Sequence, residues 1–173
     1  MAGNPRSKRV STERADNRAN DNNVAFTSIQ KIRFDDVDGA GIVYYPQFFH
    51  LCHAAFEDFF DSAAPVSYPE LVGERRLGFP TVAIQSEFHA PLSYGDVAIV
   101  ELSVSEIGKT SMKLGYDIRR KRDGELCFHG DITTVLVDLD TLKPVEIDIE
   151  LRKILEQFLS RNSELRGGLG ERG

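Results

Sequence analysis

One stretch constrains this chain more than any other: the run from Pro46 to Phe60, P-Q-F-F-H-L-C-H-A-A-F-E-D-F-F. Proline is favoured in the first turn of a helix, where its missing N–H would have had no intrahelical partner anyway. Phe48, Phe49, Leu51, Cys52, Ala54, Ala55, Phe56, Phe59 and Phe60 then wind almost all the way round the helix. An ordinary surface helix shows one apolar stripe, so this one reads as a helix to be covered on most sides. At roughly 15 residues it spans about 22 Å. It should stop near Ala63–Pro65, and the rest of the fold has to wrap it.

The wrapping is legible downstream as a change of period. Val82, Ile84, Ser86 and Phe88 share one parity, with Gln85, Glu87 and His89 on the other, which predicts a strand closing at Pro91. Val97 to Ile107 and Ser111 to Arg120 alternate in the same way, joined by a turn at Gly108-Lys109-Thr110. Arg122-Asp123-Gly124 is a hairpin signal leading into a long strand, Leu126 to Leu139. Val145 to Ile147 suggests a short extra strand. Upstream, Phe26, Ser28, Gln30, Ile32 and Phe34 share a parity and predict a first strand within Val24–Phe34. Ser67 is a candidate cap for a short helix reaching about Arg76, and Ile149, Leu151, Ile154, Leu155, Phe158 and Leu159 predict an amphipathic C-terminal helix over Asp148–Ser160. The sum is an α+β domain, an antiparallel β-sheet wrapped around a long central α-helix.

A chain of 173 residues fits one domain with one core, and its 41% hydrophobic content is enough to fill it. The polar, Arg-containing stretch 1–23 reads as a disordered N-terminal extension, 24–160 as the folded domain, and the glycine- and charge-rich 161–173 as a flexible tail. A formal net charge of −6 argues against non-specific nucleic-acid binding. No apolar run reaches transmembrane length, so no membrane partner is expected. Two cysteines, Cys52 and Cys127, form no disulfide framework, and they point to a cytoplasmic protein. With no His/Cys cluster at ligand spacing, a metal site is not expected.

Ahead of the helix lies a loop dense in acid and glycine, F-D-D-V-D-G-A-G-I-V-Y-Y, residues 34–45. The first-turn N–H groups of a helix lack intrahelical acceptors and that end is partly positive. Such an end can hold a developing oxyanion, and a carboxylate beside it is what a hydrolytic site needs. Asp35, Asp36 and Asp38 equally suit a second reading, in which they only cap the helix and favour its dipole.

The run D-V-D-G-A-G-I-V-Y-Y-P-Q-F-F resembles the signature of the 4-hydroxybenzoyl-CoA thioesterase family of hotdog-fold enzymes, D-x-D-x-x-G-x-V-[YFW]-[YFH]-x-x-[YF]. The resemblance extends from about Phe26 to Leu159. It implies the hotdog fold and an acyl-CoA thioesterase that hydrolyses an acyl- or aryl-CoA to the acid and free CoA. Asp38 falls on the second aspartate of the motif and, on the resemblance, is the nucleophile or general base. Asp36 would hold the loop. Tyr45 falls where the family uses a backbone N–H to polarise the thioester oxygen. Gly41 would let the backbone pass close to the acyl group, and His53 would line the acyl pocket at a position where the 4-hydroxybenzoyl-CoA enzyme has an aspartate. Lys109, Thr110 and Ser111 match the segment that meets the CoA phosphates, with Arg75 and Arg76 as alternatives. No separate cofactor is implied, because coenzyme A is part of the substrate. The family places its sites at dimer interfaces, which implies a homodimer or homotetramer. Two alternatives keep the fold: a hydratase or dehydratase on acyl thioesters, which would need a histidine–acid pair, and a non-catalytic acyl-CoA-binding or assembly module. Glu57 on the helix is the runner-up for the catalytic carboxylate.

Overall fold

The computed structural model describes residues 25–159; the expectations for 1–23 and 161–173 lie outside them. Strand β1 (Phe26–Lys31) leads through a 3₁₀ turn (Phe34–Asp36) to helix α1 (Tyr45–Ala63). A short helix α2 (Tyr68–Gly73) and strand β2 (Leu77–Gly78) follow, then β3 (Thr81–Phe88), β4 (Val97–Ile107), β5 (Ser111–Arg120) and β6 (Leu126–Val135). Strand β7 (Val137–Asp138) and helix α3 (Ile149–Gln157) are the last elements among the described residues. Ser67 Oγ accepts from the Glu70 N–H at the start of α2, and Asp148 caps α3, as their residue types lead one to expect.

The five long strands form one antiparallel sheet in the order β1-β4-β5-β6-β3. The two edge strands are therefore the two that flank α1 in sequence. To get from β1 to β3 the chain has to cross the sheet, and α1 makes that crossing on the inner face. Strict alternation along β4 and β5 supplies the surface it lies on: Val100, Leu102, Leu114 and Ile118 are all at most 1% exposed. This is the expected sheet curled against a long central helix.

Burial corrects the expectation that α1 is covered on most sides. Its buried residues, Phe48, Leu51, Cys52, Ala55, Phe56, Phe59 and Phe60, fall at i, i+3, i+4, i+7 and so form one stripe. Phe49 and Ala54 flank it half-buried, while His50, His53, Glu57, Asp58 and Asp61 face outward. The helix has a wide apolar face because its stripe must meet a sheet, and the polar residues between phenylalanines were the visible sign of the other side. Along β1, Gln30 Nε2 donates to the Leu51 carbonyl at 3.0 Å and Ser28 Oγ donates to the Asp58 carboxylate, fixing the edge strand against the helix.

Three further expectations change. The parity of β3 is right but its apolar face is uncovered within one chain: Val82, Ile84 and Phe88 are 60%, 50% and 50% exposed. The long last strand breaks at Leu136, whose N–H turns to the Thr110 carbonyl, and the residues beyond it pair as β7 with β2 instead. Val145–Ile147 forms no strand: the Val145 N–H reaches the Leu136 carbonyl (2.8 Å), but the Leu136 N–H is given to Thr110 and the Ile147 N–H to the Lys109 carbonyl, so the ladder stops at a bridge between Val137 and Pro144.

Phe59 is 1% exposed and sets its ring edge-on to Phe26, Phe60 and Phe158, joining β1, α1 and the end of α3. Phe59→Ala should cost about 3–5 kcal/mol in denaturant unfolding. A loss below about 1 kcal/mol would show that the helix–sheet seam is not what stabilises the fold.

Candidate active site

The acid-rich loop is a tight ribbon rather than an open coil. The Tyr44 N–H donates to the Asp36 carbonyl (3.1 Å), Val37 bridges Val43, and the Asp38 N–H donates to the Ile42 carbonyl (3.0 Å). Chain reversal between Asp38 and Ile42 needs a left-handed residue, and Gly41 supplies it at φ 76°. Space around Gly41 is open, so its glycine is required by conformation and not by a close neighbour. The ribbon is anchored to the turn before β4: Ile42 bridges Ser93, and the Val43 N–H donates to the Leu92 carbonyl (2.8 Å).

The aspartates do not cap α1. Asp36 Oδ2 accepts the Arg33 N–H at 2.6 Å and braces the loop from behind. Asp38 is exposed, and its Oδ1 accepts the Ala40 N–H at 2.8 Å, an Asx-type bond that sets the carboxylate's direction. The residue at the N-cap is Tyr44, without a side-chain cap, and no acid lies in the first turn. Pro46 has no N–H, and the Gln47 N–H donates to the Tyr44 carbonyl at 2.8 Å. That leaves the Tyr45 N–H as a first-turn donor without an acceptor among the described residues, at the positive end of a 19-residue helix. Asp38, Gly41 and Tyr45 thus lie on one ribbon that runs into the helix, Asp38 and Gly41 at its turn and Tyr45 just past its Asp36–Tyr44 pair. An exposed carboxylate on the turn of such a ribbon and an uncommitted, dipole-supported N–H past its base are two parts that a carbonyl attack uses, one to direct the nucleophile and one to receive the carbonyl oxygen.

His53 lies eight residues along α1 from Tyr45, about 12 Å away. Its Nε2 meets Glu57 Oε1 at 3.0 Å, and its ring packs against Phe56 and Tyr68. Burial first, then the Glu57 charge, raises the Tyr68 phenol above its usual range. His53 is among the residues lining a cavity of about 90 Å³ between α1 and the inner faces of β5 and β6, to which Thr81 and Ile84 of β3 also contribute. Thr81, Ile84 and Thr134 escape the motif-based reading; what could have pointed to Thr134 is a hydroxyl on the inward parity of a strand otherwise apolar there.

Lys109, Thr110 and Ser111 are placed elsewhere. They form the β4–β5 hairpin, beyond the end of β4 opposite to the one that anchors the Asp38 ribbon. An 11-residue strand separates the two, roughly 30 Å or more. Lys109 Nζ lies 3.4 Å from Glu146, while the Thr110 carbonyl is taken by the Leu136 N–H. Arg75 and Arg76 are paired with Glu70 and Asp140. Within one chain, then, the phosphate-binding candidates and the carboxylate do not meet.

Known proteins resemble this chain over the same region. Residues 32–155 match the model of the thioesterase-like superfamily. The 1,4-dihydroxy-2-naphthoyl-CoA hydrolase of Synechocystis sp. is 27% identical over 118 residues, spanning 68% of this chain and 85% of that protein. The 4-hydroxybenzoyl-CoA thioesterase of Pseudomonas sp. is 29% identical over 113 residues, spanning 65% and 77%. A crystal structure of a mutant 4-hydroxybenzoyl-CoA thioesterase complexed with 4-hydroxybenzoyl-CoA superposes with a TM-score of 0.69 at 26% identity, covering 76% of this chain and 98% of that one.

Cys52 sits on the cavity wall, 1% exposed, and burial drives its thiol far above the usual range. It should stay unlabelled by a thiol reagent at about pH 8 on the timescale of minutes, reacting only as the protein unfolds. Rapid labelling of Cys52 in the native protein would make it a candidate thiol nucleophile at this site.

Proposed function

Because this chain belongs to the thioesterase-like superfamily and is a hotdog-fold thioester hydrolase, we propose that it hydrolyses an acyl- or aryl-CoA thioester to the carboxylic acid and free CoA, with Asp38 as nucleophile or general base. The observation that carries this reading is the junction at Pro46. The proline and the Gln47–Tyr44 bond remove the competing donors, so the Tyr45 N–H is kept for the thioester oxygen. As nucleophile, Asp38 attacks the carbonyl carbon, the CoA thiolate leaves, and water then cleaves the acyl–Asp38 anhydride to release the acid; as general base, Asp38 takes a proton from a water whose oxygen attacks the carbonyl carbon, the C–S bond breaks, and the proton ends on the CoA thiolate. Both roles use the ionised form of the carboxylate. One such oxyanion donor is worth about 3 kcal/mol in the transition state.

The working unit we propose is a homodimer. A cavity of about 90 Å³ is small for a ligand site, where roughly 300–1,000 Å³ is usual. The exposed face of β3 offers the missing wall. Strand β3 starts beside the β4–β5 hairpin, since the Val135 N–H reaches the Pro80 carbonyl while Val135 faces Ser111. It ends at Phe88, which packs on Phe48 in the first turns of α1. Antiparallel pairing of β3 with β3 of a second copy would set the start of one beside the end of the other. It would carry Lys109, Thr110 and Ser111 of one subunit towards the Asp38 ribbon of its partner, so that CoA is held across the interface.

Hydrolysis is to be followed as free thiol release from benzoyl-, 4-hydroxybenzoyl- and aliphatic acyl-CoAs. Asp38→Asn should lower kcat by about 10²–10⁴-fold while KM changes by less than about threefold. Retained activity would transfer the role to Glu57. A His53–Glu57 pair is also what a hydratase would use, and an enoyl-CoA in the same assay tests that directly. Ile84→Glu should shift the protein to monomer in sedimentation equilibrium and abolish turnover with it; an active monomer would refute the shared site.

A further inference from the structure

Among the described residues two charged side chains are buried, Asp96 and Arg120, each 8% exposed. Burying a charge is costly unless it is paired and hydrogen-bonded. Both burials occur at one place. Arg120 ends the inward row of β5, after Leu114, Tyr116 and Ile118, and lies opposite Ala98, two residues past Asp96.

The two charges do not pair with each other. Arg120 donates from Nε to both Asp123 oxygens (3.1 and 3.0 Å) and from Nη2 to Glu125, all within the β5–β6 hairpin. Its Nη1 crosses to the Pro91 carbonyl at 2.7 Å. Asp96 accepts the Ser93 N–H at 2.9 Å inside its own turn, and Arg122 Nη1 meets its other oxygen from the hairpin. The hairpin therefore holds the segment Pro91–Asp96 by two ties, a guanidinium on a carbonyl and a guanidinium on a carboxylate.

Anchorage alone does not require them. Leu92 is 0% exposed and already fastens the segment to the core. Well-packed apolar side chains in place of a buried ion pair are often neutral or stabilising, so stability does not account for these charges. What they fix is how the peptides on either side of Leu92 are turned: Arg120 sets the Pro91 carbonyl and Asp96 sets the Ser93 N–H. Between these two points the Leu92 carbonyl takes the Val43 N–H (2.8 Å), and Ser93 bridges Ile42. The Ile42 carbonyl in turn takes the Asp38 N–H (3.0 Å). The ribbon that carries Asp38 is thus seated on the one stretch of backbone that the two arginines orient.

We propose that Arg120 and the Arg122–Asp96 pair are positioning residues for Asp38: from the far hairpin they fix the Pro91–Asp96 segment, and through it the place of the Asp38 carboxylate relative to the Tyr45 N–H. This rests on the reading of Asp38 given above and extends it to residues outside the ribbon.

The test uses Arg120→Met, which keeps the length of the stem and leaves Asp123 and Glu125 exposed to water, and Arg122→Ala, at an exposed side chain. Each should lower kcat for thioester hydrolysis by about 10–100-fold, the cost of displacing a reacting group by about 1 Å, with KM within about threefold. Combined with Asp38→Asn, either should lower the residual rate by less than about twofold, because no carboxylate is left to position. In amide hydrogen exchange Val43 should lose about tenfold or more of its protection in both variants, while Leu102 and Leu114 in the sheet keep theirs. The proposal is overturned if Arg122→Ala keeps the wild-type kcat, or if either variant costs as much in the Asp38→Asn background as in the wild type. It is also overturned if Leu102 and Leu114 lose protection together with Val43, since the charges would then serve the fold as a whole. Should Arg120→Met fail to fold, Arg122→Ala carries all three readouts. If Asp38→Asn is as active as the wild type, or no thioester is cleaved, it is the reading of Asp38 that fails. Exchange then decides for the two ties: faster exchange confined to Val43 supports them, and unchanged exchange overturns them.

Discussion

Everything in this protein depends on one seam, the apolar stripe of α1 laid against the inner face of β4 and β5. The seam holds the edge strands in place, because β1 is tied to the helix through Gln30 and Ser28 and β3 through the packing of Phe88 on Phe48. It also fixes the helix axially. Phe59 sits in an aromatic cluster at one end, and Phe48 stacks on Phe128 at 5.4 Å at the other. A helix pinned at both ends cannot slide, so its N-terminus points at a fixed place. The proposed chemistry needs that place to be fixed, since a backbone N–H such as that of Tyr45 can polarise a carbonyl only where the helix holds it.

The junction shows how local rules are bent to expose a reactive group. Most helix N-termini are closed by a Ser, Thr, Asp or Asn side chain. Here three aspartates lie within ten residues of the helix start and none closes it. Asp36 is spent on the Arg33 N–H and Asp38 on the Ala40 N–H, both inside the loop. The loop's acids thus brace the ribbon, and the helix end stays open to a ligand.

Much of the fold was legible because it follows from alternation. Strands β4 and β5 fall on the residues where period-2 patterning begins and ends, and Gly41, Gly124 and Ser67 do the jobs their residue types suggest. What was not legible depends on the count of layers. From sequence, α1 looks apolar on nearly every side although His53, Glu57 and Asp61 interrupt it; packing shows that these residues mark a second side that the sheet leaves uncovered. The same holds for β3, whose Val82 and Ile84 announce a buried face that one chain does not bury. Of the candidate site, Asp38, Gly41 and Tyr45 were readable because they are neighbours on the chain. Lys109 could be named but not located, since its distance from Asp38 is set by the length of β4.

The strand order also carries a consequence for how the protein is made. Strand β3 emerges from the ribosome well before its only neighbour in the sheet: β6 begins about forty residues later. At about 5–20 residues per second the wait is a few seconds, and β1 waits in the same way for β4. During that interval two apolar strands are out with their backbone groups unpaired, β3 carrying an exposed Val-Ile-Phe face. The nascent chain is therefore most adhesive in the middle of its synthesis and becomes safe only when β6 is complete, which makes the pace of translation between Phe88 and Val135 part of what determines the yield of folded enzyme.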